Sequence, residues 1–124
     1  MNNPAVYFEI PVTDMNRAIN FYSTVFNFSF EQEVFDSLDM AYFPFDNTQK
    51  GITGALVKGE IYKPTIDGIL LYLNTTDIKQ TLEIAESIGA EVLYPINIHK
   101  DLGFAVAELK DSEGNRIGLH QTNL

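Results

Sequence analysis

The chain has 124 residues, enough for one compact domain or two closely packed half-domains. Its formal net charge of -9 at pH 7 argues against nucleic acid and against an anionic membrane surface, both of which call for clustered Lys and Arg. With no cysteine, disulfides, thiolate metal sites and cysteine nucleophiles are all excluded.

Residues 5–12 alternate, with Phe8, Ile10 and Val12 on one face and Tyr7, Glu9 and Pro11 on the other, which predicts a strand. Asp14 is placed as an N-cap for a helix from Met15 to about Phe26. Its buried stripe is Ala18, Phe21, Tyr22 and Val25, and Asn27 ends it in a left-handed conformation. Phe28 to Val34, Met40 to Phe45 and Ile52 to Val57 read as three further strands, and Lys58 to Asp67 as a connection. The order then recurs. Ile69 to Leu73 is a strand, Thr76 the second cap, and residues 77–88 a helix with Ile78, Leu82, Ala85 and Ile88 on its apolar side, ended by Gly89. Glu91 to Tyr94, Phe104 to Leu109 and Arg116 to Gln121 are strands, the last two joined by the turn at 111–115.

YFEIPVTDMNRAINFYSTVF and ILLYLNTTDIKQTLEIAESI are therefore two versions of one plan, offset by about 62 residues. Modules at about 5–57 and 68–121 bury their apolar faces and leave a cleft between open sheets for a small ligand. MNNPAVYFEI carries no basic segment followed by an apolar one. No signal peptide is read, and a cytoplasmic location is expected.

The opening VYFEIPVTDMNRAINFYSTVF and the closing DSEGNRIGLH resemble the vicinal oxygen chelate superfamily, which includes glyoxalase I, bleomycin resistance proteins, methylmalonyl-CoA epimerase and extradiol dioxygenases. The resemblance implies an α+β fold of two βαβββ modules forming a cup-shaped mixed sheet, and commonly a homodimer. It also implies a divalent ion that chelates vicinal oxygens in the superfamily's metal enzymes. Carried over residue by residue, their ligand positions fall on Tyr7, on the stretch Gly54 to Leu56, within Ile69 to Leu71, and on Gly118. None is a strong ligand, so the usual metal centre is not expected and no cofactor is predicted.

Alternation places Tyr7, Glu9, Tyr72 and His120 toward the cup. Glu9 and His120 are the candidates for general acid–base work or for a displaced, non-standard metal site. Tyr7, Tyr72 and His99 are candidate ligand contacts, with His99 read as a loop residue over the cup. The plain alternatives are a hydrogen-bonded Glu9, a rim His120 and a solvated His99. Arg17 is assigned a structural place near Asp14 or Glu9, and Gly114 and Asn115 are read as turn residues. The aromatics Phe35, Tyr42, Phe43, Phe45, Tyr62 and Tyr94 are read mainly as core. The expected function is small-molecule binding in the cup without the metal. The alternative is a lyase, isomerase or dioxygenase-like enzyme using Glu9 and His120.

Overall fold

The computed structural model describes residues 3–124. The elements are β1 (Phe8–Pro11), α1 (Met15–Phe26), β2 (Glu31–Phe35), β3 (Leu38–Tyr42), β4 (Gly54–Lys58), β5 (Leu71–Asn74), α2 (Ile78–Ser87), β6 (Val92–His99), β7 (Phe104–Lys110) and β8 (Arg116–Thr122). They form two four-stranded mixed sheets, β1-β4-β3-β2 and β5-β8-β7-β6. In each, the first strand runs parallel to the last and the others are antiparallel. This is the expected α+β pair of βαβββ modules. No helix among the described residues is long and apolar enough to cross a membrane.

Both helices start the same way. Asp14 is extended (φ -132°) and its Oδ1 accepts from the Arg17 amide at 3.0 Å. Asp77 (φ -148°) does the same for Gln80 at 3.0 Å. The second cap is thus Asp77, not Thr76. An aspartate reaches the third amide with a full charge, whereas Thr76 stands one residue too early. α1 buries Ala18, Phe21, Tyr22 and Val25, as the helical spacing requires, and Asn27 ends it at φ 61°. α2 buries Ile78, Thr81, Leu82 and Ala85. Ile88 lies past its last turn, 46% exposed.

Strand bounds differ from the sequence reading: β1 is shorter than 5–12, and β4 starts at Gly54, not Ile52. β2 begins at Glu31 because Phe28 and Phe30 turn inward, stacking Phe28 on Phe26 (5.2 Å, 9°) and setting Phe30 edge-on to Phe43 (4.9 Å). A tight turn at Asp36 and Ser37, both at positive φ, joins it to β3, which therefore starts at Leu38 and stops at Tyr42. β5 starts at Leu71 and leaves Ile69 in solvent. β6 continues past Tyr94 to His99, because register shifts between Val92 and Tyr94 and across the Tyr94–Asn97 stretch that holds Pro95 let the strand pass the missing amide. His99 is therefore a strand residue, paired with Phe104, and not a loop histidine.

One core spans both modules: Ile10, Ala41 and Leu56 of the first sheet and Ala105, Leu109 and Leu119 of the second lie in the same buried cluster as the helix stripes. The opposite face of each sheet is only partly covered; on the first, Met40, Ala55 and Val57 are buried under Leu38, Tyr42 and Tyr62.

The modules are latched by the turn at 111–115, which reaches back to the first module. Both Glu113 oxygens are used: Oε1 accepts from the amides of Thr13 (2.9 Å) and Asp14 (2.8 Å), and Oε2 from Arg17 Nε (2.7 Å). Arg17 thus pairs with Glu113, neither with Asp14 through its side chain nor with Glu9. Buried Asn115 is more than a turn residue: its Nδ2 donates to the Pro11 carbonyl (2.8 Å) and its Oδ1 accepts from the Thr65 amide (3.1 Å).

Burial alone would raise the Glu113 pKa. Arg17, the amides of Asp14 and Thr13, and the Ser112 hydroxyl outweigh it and hold the carboxyl at about 2, against an ordinary 4.5. A depressed carboxylate stabilises the fold above its unfolded pKa, and that contribution is lost as pH falls from about 4.5 toward 2. Urea titrations of wild type and Glu113→Gln should therefore differ by about 1–2 kcal/mol at neutral pH, after allowing for solvent screening at half-exposed Arg17, and should draw together only as pH approaches about 2. A difference that does not change with pH would remove the charge from this account.

Candidate functional site

On the open face of the first sheet, Glu9 of β1 stands in register with Ala55, and Ala55 with Tyr42. Two phenols converge on the Glu9 carboxylate: Tyr7 Oη donates to Oε2 and Tyr62 Oη to Oε1, both at 3.0 Å. Tyr62 comes from the inter-module connection, which folds back so that the ring packs with Leu38 and Tyr42 against Met40, Ala55 and Val57. Tyr42 Oη donates to Glu33 at 2.6 Å. Desolvation, together with the Glu9 carboxylate that it faces, pushes the Tyr7 phenol up to about 12. It therefore remains a donor throughout the neutral range. Among the described residues Glu9 has no cationic partner.

The second open face carries a different cluster. Phe104 lies between the protein's two histidines, stacked on His99 (4.8 Å, 27°) and on His120 (5.2 Å, 12°). Half-buried Arg116 pairs with Glu108, which is nearly covered. Tyr72 is exposed toward solvent, its ring lying over Gly118: a Cβ added to Gly118 would meet it at 2.5–2.8 Å. The sequence-nominated residues thus fall into two groups, Tyr7 with Glu9 and His99 with His120, while Tyr72 lies over Gly118 nearby. No hydrogen bond joins Glu9 to His120 among the described residues. Tyr62 was read from sequence as one of several aromatics that could stack on a flat ligand but mainly as core, not as a partner of Glu9. Glu108 and Arg116 were not singled out at all, although a carboxylate inside the apolar run FAVAEL of β7 was the available signal.

The rungs where the resemblance places metal ligands do not fit a divalent ion. They carry a phenol at Tyr7, a fully buried methyl at Ala55, aliphatic side chains at Ile69, Leu70 and Leu71, and Gly118 under the Tyr72 ring. Among the described residues, no three His, Asp or Glu side chains are grouped to hold a metal.

Between the modules, the unpaired edges of β1 and β5 flank a crevice of about 570 Å³. Its walls are mostly apolar, and among the described residues Glu9 and Arg116 are its only charged ones. The size suits a small organic molecule. A larger recess of about 770 Å³ at the start of α1 is lined by Asp14, Glu33, Asp39 and Lys58, and is polar. It includes none of the nominated residues.

Residues 5–119 match the Glyoxalase/Bleomycin resistance protein/Dioxygenase superfamily. No curated protein matches the chain in sequence. Several solved structures share the fold. UcmS2 is 18% identical, with a TM-score of 0.70 over 98% of this chain and 100% of its own. The fosfomycin resistance protein FosX from Listeria monocytogenes, in an E126Q mutant complexed with Mn(II) and 1S,2S-dihydroxypropylphosphonic acid, is 17% identical. Its TM-score is 0.66 over 100% of this chain and 94% of its own. Glyoxalase I from Zea mays is 18% identical with a TM-score of 0.73 over 96% of this chain, which spans only 44% of the maize enzyme. The family match over nearly the whole chain, on two βαβββ modules with the expected strand order, makes this protein a member of the glyoxalase/bleomycin resistance protein/dioxygenase superfamily.

Proposed function

We propose that this protein binds a small organic molecule in the inter-module crevice and works without the metal centre of the superfamily's enzymes. The observation that carries this reading is the Tyr72 ring packed on Gly118, which fills a ligand rung with an aromatic side chain. The Tyr7–Glu9–Tyr62 cluster beside the crevice supplies a polar anchor of the kind that fixes a bound ligand's orientation. Acid–base catalysis shared by Glu9 and His120 is disfavoured by their membership of separate clusters. The exposed Val34 and Phe35 of edge strand β2 support the homodimer that the resemblance implies.

Elemental analysis of protein purified without chelator or nickel resin tests the first half, with metal expected well below one per chain. Backbone NMR shifts during a screen of neutral and charged aromatic fragments test the second, and they are expected to fall on Ile52, Ile69 and Ile117. A stoichiometric metal, or chelator-sensitive turnover of the methylglyoxal–glutathione hemithioacetal, would overturn the reading.

A further inference from the structure

Resting on the crevice reading above, we infer that the ligand is a protonated amine with an apolar body, its ammonium group held by Glu9 between Tyr7 and Tyr62. Charge balance in the crevice is the first reason. Its two charged residues are not equivalent: Arg116 is already paired with Glu108, whereas Glu9 has only neutral phenols. Among the described residues, the crevice therefore holds one uncompensated negative charge. An ammonium N–H donated to that carboxylate makes a charge-assisted hydrogen bond, stronger than the same bond to a neutral acceptor.

Hydrogen-bond capacity is the second. A carboxylate offers about four acceptor positions. Tyr7 and Tyr62 take one on each oxygen, which leaves one on each for an incoming N–H donor. The phenols can only donate to Glu9, so they orient the carboxylate without neutralising it.

The walls are the third. Phe8, Ile10, Ile52, Ile69, Leu71 and Ile117 line the same crevice and suit a hydrocarbon or aryl body. Arg116, at the second-module side, disfavours a ligand whose charge lies at that end. The amine is thereby directed to the β1 side.

The test is a calorimetric titration of the intact protein at pH 7, backed by backbone NMR, with 2-phenylethylammonium and hexylammonium against the uncharged 2-phenylethanol and 1-hexanol. The amines should bind about tenfold or more tightly than their alcohols, and Glu9→Gln should remove that advantage. Glu9 is exposed, so Glu9→Gln should melt like wild type, and its melting curve separates lost binding from lost folding. If amines and alcohols bind alike with crevice shifts, the cation inference fails and the crevice reading stands. If none of the four perturbs crevice residues, both fail.

Discussion

Asp111→Ala should cost about 3–5 kcal/mol, measured as the change in unfolding free energy in urea. The residue is 4% exposed, and four donors converge on it. Tyr22 Oη reaches Oδ2 at 2.6 Å and Asn115 Nδ2 at 3.1 Å, while the amides of Asn115 (2.8 Å) and Glu113 (2.9 Å) reach Oδ1. Tyr22 belongs to α1 and Asp111 opens the turn after β7, so this carboxylate ties the two modules together inside the core. Truncation leaves a buried phenol and two amides without acceptors, and each such group costs about 1–3 kcal/mol. Burial and the neighbouring carboxylate push the Tyr22 phenol well above its ordinary value, so it cannot relieve the loss by ionising. Tyr22→Phe removes one donor and keeps the other three, and should cost less than half as much. A cost below about 1 kcal/mol for Asp111→Ala would mean that the apolar core alone holds the modules together.

Gly54→Ala is expected to be comparably damaging, at about 3 kcal/mol or more. Gly54 is paired with Phe8 where β4 runs parallel to β1. A Cβ there would run into the Phe8 carbonyl oxygen and come within 2.6 Å of its ring. Backbone cannot rotate away as a side-chain tip can, so β1 would have to separate from β4, its only partner in the sheet. β1 also carries Glu9, so the same change should distort the crevice. Gly68→Ala is the matched control. It lies in the connection, its nearest neighbour is the Thr65 methyl at 3.2 Å, and it should shift the urea midpoint little. Equal effects at the two glycines would show that contact with Phe8 is not what Gly54→Ala costs, because the restricted unfolded chain by itself favours folding.

Much of this architecture was legible because it rests on local rules. The α1 stripe and both helix stops follow from spacing and from residues that accept positive φ. Strand alternation correctly sorted Glu9 from Ile10 and His120 from Leu119, since a side chain's face is set by the pleat alone. Errors arose where a distant partner overrode a local preference. Phe28 and Phe30 look like strand residues until Phe43 and Phe26 draw them inward. Pro95 reads as a stop until bulges carry β6 past it.

By itself, the sequence determined the duplicated plan, the superfamily and the absence of strong ligands on the inherited rungs, because each depends on residue identity at a countable position. Only the tertiary structure decided that Glu9 meets two phenols and not His120, that Tyr72 covers Gly118, and that Glu113 and Asp111 of one module lock the other. Periodicity assigns a side chain to a face. Which atoms it meets there depends on how chain segments far apart in sequence are brought together, and no local pattern records that.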